Sequence, residues 1–235
     1  MLLVIDGILT GMGYDLHITR ALFWPHAERY PIRADEVMAL VEREADLVLD
    51  DQNAFDAAQF FVRVGAEDWL EFWRGRLSTK NPEDALVRRM VEIGRLLDAW
   101  VTGDDDEIYD WNGEVTVRQP SESELGKPAY QLVGAVDSPA GRRVPIAEQA
   151  WLDAVSAQPD FTIMPQVEAL LPSGLRWIPS PPVAHWTGHP SGRPVPFFFD
   201  EDHIEVEIDP ATLEPLRRLA SLLDADILNN HLNPV

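Results

Sequence analysis

Apolar and polar positions alternate along this chain in patterns that predict both helices and strands. Apolar residues recur at helical spacing from Ala34 to Glu44, and again from Trp151 to Val155. Alternating or continuous apolar stretches predict strands at Leu47 to Leu49, at Phe161 to Met164, and in the segments AQFFVRV, WLEFW, RLSTK, VPFFF and HIEVEI. A tight turn is predicted at Arg74-Gly75, between WLEFW and RLSTK. The mixture indicates an α+β fold.

The same pattern occurs twice. Three landmarks recur in the same order: Tyr14-Asp15-Leu16 and Tyr130-Gln131-Leu132, Pro31-Ile32 and Pro145-Ile146 before a helix, and the segments that begin at Asn81 and Asp209. We therefore predict two duplicated units, each an antiparallel sheet with two helices on one face. Similar apolar faces are most easily buried against each other, so we also expect an approximate internal twofold axis.

The predicted first unit spans residues 1–117, the linker residues 118–129 and the second unit residues 130–235. The linker reads RQPSESELGKPA, which is polar and rich in Ser, Glu and Pro. Asn81 and Asp209 each precede a Pro and are predicted to be helix N-caps. The proline-rich segment LPSGLRWIPSPPVAHWTGHPSGRPVP is predicted not to form a central strand.

Residues 1–11, MLLVIDGILTG, are predicted to be an upstream extension or an extra edge strand. Their deletion should then change stability by no more than about 1 kcal/mol. Asp6 follows an apolar run, as the nucleophile of haloacid-dehalogenase-type phosphatases does. Those enzymes need a second Asp two residues later, where this chain has Ile8. We therefore do not assign Asp6 a catalytic role.

Charge limits the classes of partner. The 235 residues include 19 Lys and Arg against 40 Asp and Glu, a net charge of −21 at pH 7. Repulsion from phosphates argues against a nucleic-acid partner, and a basic protein is the converse expectation. An acidic surface that serves solubility alone is the alternative. No apolar run is long enough for a membrane span, and 0 Cys favours the cytoplasm and excludes thiolate sites.

The acidic residues are concentrated in runs. We predict that partner contacts involve two of these runs and one tryptophan: Asp104, Asp105, Asp106 and Glu107, then Asp200, Glu201 and Asp202, and Trp186. Carboxylates supply electrostatic steering, and an exposed Trp supplies an anchor. Trp186 lies in the proline-rich segment and is predicted to be exposed. A calcium site at the first run lacks the EF-hand spacing.

Three histidines are the candidates for a metal site. His185 and His189 have the spacing that places two imidazoles on one helix face, and His203 follows later. Thr187, Gly188 and Pro190 argue against a helix there. We therefore predict no metal and no cofactor.

The first half resembles a family of uncharacterised bacterial proteins whose members begin Tyr-Asp-Leu-His-Ile-Thr-Arg. The matching residues are Tyr14, Asp15, His17, Thr19, Arg20, Lys80, Asn81, Pro82, Gly103, Asp104, Asp105, Glu107 and Tyr109, while Asp106 stands where the pattern has Gly. That family has no established activity. The resemblance implies a role as an immunity protein of a toxin system.

Two hypotheses from different classes follow. The first, which we favour, is a cytoplasmic immunity or antitoxin protein that neutralises a basic toxin by direct contact. The alternative is an enzyme of unknown class, with carboxylates or His17 at its centre. A pocket where several carboxylates converge would favour the enzyme.

Overall fold

The computed structural model describes residues 14–50, 58–121, 124, 129–136 and 143–235 of the α+β protein. The possible extension at residues 1–11 lies outside the described residues. Two compact units are present, Met1–Pro120 with Leu170–Leu175 and Ser121–Ala169 with Arg176–Val235. Among the described residues, no helix is long and apolar enough to cross a membrane.

The first unit contains an antiparallel sheet whose strand order is β2-β3-β4-β5-β1-β6-β7-β8. Its elements are β1 (Asp15–Thr19), α1 (Ala34–Arg43), β2 (Leu47–Asp50), β3 (Gln59–Val64), β4 (Asp68–Trp73), β5 (Arg76–Lys80), α2 (Asp84–Leu97), β6 (Trp100–Gly103), β7 (Ile108–Trp111) and β8 (Val115–Arg118). A short 3-10 helix, Trp24–His26, adds an element that the apolar pattern did not predict.

Strand β1 separates apolar from polar side chains. Leu16 and Ile18 are buried in a core with residues of α1 and α2. Successive side chains of a strand point to opposite faces, so His17 lies on the sheet face away from that core. In register, His17 is opposite Ser78 of β5 and Thr102 of β6. We call this side of the first sheet the polar face.

The second unit contains a six-stranded sheet, in the order β10-β11-β12-β13-β9-β14, except for the tip of the β10–β11 hairpin, Leu170–Leu175, which belongs to the first unit. Its elements are β9 (Ala129–Gly134), α3 (Glu148–Ser156), β10 (Phe161–Leu171), β11 (Gly174–Trp186), β12 (Val195–Asp200), β13 (His203–Glu207), α4 (Leu213–Leu223) and β14 (Ala225–Leu228). Residues of both helices pack with the sheet in a second hydrophobic core.

The order of helices and strands from β1 to β6 recurs from β9 to β14, and the first unit adds a 3-10 helix and the strands β7 and β8. In each unit, the first strand pairs with both the fifth and the sixth, since β1 lies between β5 and β6 and β9 lies between β13 and β14. The closing helices end alike: Asp98 and Asp224, with φ of 50° and 48°, are left-handed C-caps. The internal twofold axis stays a prediction.

The predicted N-caps are wrong. Helix α2 begins at Asp84 after Glu83, because Asn81 adopts a left-handed φ of 46° and its side chain accepts a hydrogen bond from Tyr14 N. Helix α4 begins at Leu213, because Asp209 instead accepts a hydrogen bond from Ala211 N in a turn before the helix. Asn and Asp favour turns as strongly as caps.

The prediction that the proline-rich segment is not a central strand is also wrong. Residues Gly174–Trp186 form β11, between β10 and β12. Its register with β12 runs over Ala184 to Trp186, so Pro179, Pro181 and Pro182 lie outside this paired stretch and are exposed. Proline is tolerated where its missing N–H is not needed by a neighbouring strand.

Candidate functional site

Three sequence segments named in the resemblance meet at one end of β1. Tyr14 N donates a hydrogen bond to Asn81 Oδ1 over 2.9 Å, and Asn81 N donates to Tyr14 O over 2.7 Å. Asp15 N donates to Asp104 Oδ2 over 2.9 Å. The start of β1, the end of β5 and the turn after β6 are thereby connected.

The turn between β6 and β7 carries the first predicted acidic run, and we call Asp104 to Glu107 the acidic turn. Asp104 and Asp105 are exposed, whereas Glu107 is buried. Glu107 accepts hydrogen bonds from Tyr109 Oη at 3.0 Å and from Asp105 N at 3.2 Å. The predicted surface role of Glu107 therefore does not fit its position: its carboxylate holds the turn from within.

Burial raises the pKa of Tyr109, and the neighbouring Glu107 carboxylate raises it further, so Tyr109 remains a hydrogen-bond donor at neutral pH. Burial and the charge of Asp105 raise the pKa of Asp106. Gly103 allows the close packing below the turn: a Cβ there would lie 1.8 Å from Tyr14 Oη and 2.5 Å from Glu107 Oε1. These contacts fix the conformation that presents Asp104 and Asp105.

His17 links the acidic turn to the polar face. It is 3% exposed, and its Nε2 lies 3.3 Å from Asp104 Oδ1. Its ring stacks on Trp24 with centroids 4.4 Å apart. Burial lowers the pKa of His17, and the hydrogen bond to Asp104 opposes that effect without cancelling it. The imidazole is therefore neutral at pH 7.

Several buried polar atoms near His17 have no hydrogen-bond partner among the described residues. They are His17 Nδ1, Asp15 Oδ1, Thr102 Oγ1 and Arg76 Nε. Such atoms mark sites where water or a ligand group completes the hydrogen bonding.

Aromatic rings extend from His17 to the surface. The Arg76 guanidinium lies 4.9 Å from the centroid of Trp24 and 5.6 Å from that of Trp73, and Arg74 covers Trp73 at 4.6 Å. We call His17, Trp24, Arg76 and Trp73 the stacked row. Trp73 is 39% exposed at its outer end, and Trp69 on the same strand is 43% exposed.

Sequence reasoning missed Trp24 and Arg76. Alternation along β4 and β5 places Trp69 and Trp73 on one face with Arg76, because Trp73 and Arg76 are in register. That signal was present in the sequence. The contact of Trp24 with His17 has no such signal, because Trp24 lies in the 3-10 helix.

The second acidic run forms the turn between β12 and β13. Glu201 and Asp202 are exposed and Asp200 is partly buried. Glu201 has a left-handed φ of 50°, and Asp202 Oδ1 lies 3.2 Å from His203 Nδ1. We call Asp200, Glu201 and Asp202 the second acidic turn.

The prediction that Trp186 is exposed is wrong. Trp186 is 7% exposed, packs in the second core and donates a hydrogen bond from Nε1 to Asp160 Oδ2 over 2.8 Å. It therefore has no surface with which to anchor a partner. Trp177, 41% exposed on β11, is the accessible tryptophan of that strand.

The three histidines considered for metal binding have different partners. His185 is fully buried beside the carbonyl oxygen of Val183. His189 Nδ1 contacts Ser191 Oγ, and its Nε2 lies 3.6 Å from Asp209 Oδ1. His203 lies between two carboxylates of the second unit.

The fold and the site define a two-sheet α+β protein with an acidic turn beside a row of stacked aromatic and cationic side chains. In comparisons with protein-family models, curated proteins and solved structures, no match to this chain was found.

Proposed function

We propose that this is a binding protein that neutralises a basic protein by direct contact, in the manner of an immunity or antitoxin protein. The observation that carries the proposal is the acidic turn, whose exposed Asp104 and Asp105 are connected through His17 to the stacked row. An acidic rim and exposed tryptophans thus belong to one continuous cluster. The N-terminal resemblance to a bacterial family points to the same role.

The acidic turn is suited to electrostatic steering. Its carboxylates add to a net charge of −21, and the buried Glu107 and the Asp104 contacts restrict its conformation before any partner arrives. Preorganisation reduces the entropy lost on binding. Charges at the rim of an interface chiefly accelerate association, over a screening distance of about 8 Å at physiological salt.

The outer end of the stacked row supplies the anchor. Trp73 is exposed and has Arg74 and Arg76 over its ring, and Trp69 lies on the same strand. Trp and Arg are the residues most enriched among those whose truncation costs an interface 2 kcal/mol or more. We expect these tryptophans to control the rate of dissociation and the acidic turn to control the rate of association.

Burial of His17 favours this proposal over the enzyme hypothesis. Its Nε2 is occupied by Asp104, and its Nδ1 is inaccessible to solvent in this conformation. A general base must come within hydrogen-bond distance of the substrate proton. A substrate atom would have to displace the Asp104 contact at Nε2, or reach Nδ1 in a space that is closed to solvent in this conformation.

The test begins with co-expression of the protein and the products of its neighbouring genes, followed by association kinetics with any that bind. The variant Asp104→Asn/Asp105→Asn should associate several-fold more slowly at low salt and equal the parent at high salt. The matched control, Glu148→Gln/Glu214→Gln, removes two exposed carboxylates at the starts of α3 and α4 and should change the rate less.

A second pair of variants tests the anchor. Trp73→Ala should raise the dissociation rate by about 30-fold, the equivalent of about 2 kcal/mol, with little change in association. Trp177→Ala removes a similarly exposed ring from the second unit and should change it by less than about threefold. If no neighbouring product binds, or if both controls match their test variants, the proposal is wrong.

The proposal also covers the second acidic turn, the cellular location of the protein and the evolutionary origin of its two units. Exposed Glu201 and Asp202 add steering charge in the second unit. A cytoplasmic location is proposed because the sequence has 0 Cys. Duplication of one ancestral unit is proposed because element order, strand order and the left-handed caps Asp98 and Asp224 recur. A twofold relation of the units is part of that proposal.

A further inference from the structure

Three side chains that can bind a metal lie on one face of the hairpin formed by β12 and β13. Asp200 is in register with His203, and Glu205 follows two residues later on β13. Cross-strand partners and residues two apart share a sheet face. One ligand atom of each side chain lies within 4.8 Å of the other two.

The separation of two of these atoms matches a zinc site. His203 Nε2 lies 3.3 Å from Glu205 Oε1. Zinc bonds of about 2.0–2.1 Å in tetrahedral geometry place neighbouring ligand atoms about 3.3–3.4 Å apart. An ion can therefore bind between these two atoms with little movement, and a rotation of the Asp200 side chain brings in the third ligand.

The surroundings of the ligands provide a second, independent observation. His203 Nδ1 lies 3.2 Å from Asp202 Oδ1, and Gln131 Nε2 donates a hydrogen bond to Glu205 Oε1 over 2.9 Å. Imidazoles that bind metals ordinarily donate their other ring N–H to a carboxylate, and ligating carboxylates are hydrogen-bonded in turn. With its proton on Nδ1, His203 presents the lone pair of Nε2 towards Glu205.

We propose that Asp200, His203 and Glu205 bind one divalent transition-metal ion of the zinc type. Imidazole with carboxylates suits Zn²⁺, and three protein ligands leave a coordination position for water. The side chains of His203 and Glu205 are 23% and 13% exposed, so an ion can enter from solvent. Without metal, His203 Nε2 contacts Glu205 Oε1 directly, and Zn²⁺ takes a position between these two atoms. The site shares Asp200 with the second acidic turn, but its test needs only the isolated protein and zinc, so the two proposals can fail separately.

Calorimetric titration of the chelator-treated, full-length protein with ZnCl₂ tests the site. The parent should bind one Zn²⁺ per chain. His203→Gln and Glu205→Gln should each weaken binding by at least about 100-fold, and Asp202→Asn, which removes only the supporting carboxylate, by about 10–100-fold. Glu201→Gln is the matched control, since it removes an exposed carboxylate of the same turn that is not one of the ligands.

Two results would overturn the proposal: no saturable Zn²⁺ binding by the parent, or an equal loss in Glu201→Gln and His203→Gln, which would indicate unspecific attraction to acidic residues. If a ligand variant does not fold, ¹⁵N resonances of His203 in the parent still decide. Zn²⁺ should shift Nε2 and leave Nδ1 protonated, and unchanged resonances would refute metal binding at His203.

Discussion

Asp160 is expected to be a main source of stability in the second unit. Its Oδ2 accepts hydrogen bonds from Trp186 Nε1 at 2.8 Å and from Arg218 Nη2 at 2.6 Å. Trp186 belongs to the end of β11 and Arg218 to α4. One carboxylate thus connects the sheet to the closing helix, and Asp160→Ala removes both contacts.

The expected loss of stability in Asp160→Ala follows from the two hydrogen bonds that it removes. A hydrogen bond from a buried indole N–H to a carboxylate is worth about 1.5–3 kcal/mol, because its loss leaves the donor unsatisfied. The Arg218 pair is partly exposed, with side chains 38% and 28% accessible, and solvent screening reduces it to about 0.2–1 kcal/mol. Asp160→Ala should therefore cost about 2–4 kcal/mol. Asp160→Asn keeps one acceptor for Trp186 and should cost about half as much.

Urea unfolding of the full chain, followed by tryptophan fluorescence and far-UV circular dichroism, measures this loss. With a slope of about 2 kcal/mol per molar urea, the midpoint of the second unit should fall by about 1–2 M in Asp160→Ala. The control Asp153→Asn alters an exposed carboxylate that accepts a hydrogen bond only from Gln149 of its own helix, among the contacts described, and should shift the midpoint by less than about 0.3 M.

The pH dependence gives a second check. Burial alone would raise the pKa of Asp160, but the bonds from Arg218 and Trp186 outweigh it and lower the pKa. The contribution of ionised Asp160 to the free energy of unfolding is therefore complete above its pKa in the unfolded chain, about 3.9. It is lost as the pH falls through the lower pKa of the folded protein. The difference between parent and Asp160→Asn should shrink below about pH 4. A constant difference, or equal midpoints for Asp160→Ala and Asp153→Asn, would refute the assignment.

Three further predictions concern other parts of the chain. Gly134→Ala places a Cβ 1.7 Å from the carbonyl oxygen of Val144, so the backbone must move; a loss of about 1–3 kcal/mol is expected in thermal unfolding, and an unchanged melting temperature contradicts the close approach. Burial lowers the pKa of His17, so the stability contributed by its neutral imidazole is complete above about pH 6.5 and falls as the ring is protonated at lower pH. The melting temperature of His17→Gln should thus fall less than that of the parent between pH 7 and pH 5. Arg20 is buried and bonded twice to Glu36, so Arg20→Lys should cost about 1–3 kcal/mol, and an unchanged urea midpoint would contradict that estimate.

The apolar pattern located several strands and the start of α1 at Ala34, but it missed β6, β7, β8 and β14 and misplaced the starts of two other helices. Alternation identified β3, β4 and β5 because a strand with one buried face must alternate. The starts of α2 and α4 were misplaced because Asn81 and Asp209 each suit a turn as well as a cap. The prediction for β11 failed because prolines show where a backbone N–H is missing, but not whether a neighbouring strand needs that N–H.

The candidate site was predictable in part. The acidic turn is a continuous run in the sequence, so its location could be predicted, but the burial of Glu107 depends on Tyr109 and on the space at Gly103. Sequence reasoning considered His203 together with His185 and His189, whereas the structure places Asp200 and Glu205 beside it. Its neighbours Asp200 and Glu205 follow from the hairpin register, which becomes evident once Glu201 and Asp202 are recognised as the turn.

The central position of β1 has a consequence for synthesis of the chain. This strand pairs with β5 and β6, which end at Lys80 and Gly103. At translation rates of about 5–20 residues per second, β1 waits several seconds before either neighbour exists. During that interval its apolar side chains Leu16 and Ile18 have no sheet to join. Strand β9 meets the same delay before β13 and β14, so among the described residues each of these two strands must wait for partners that are synthesised much later.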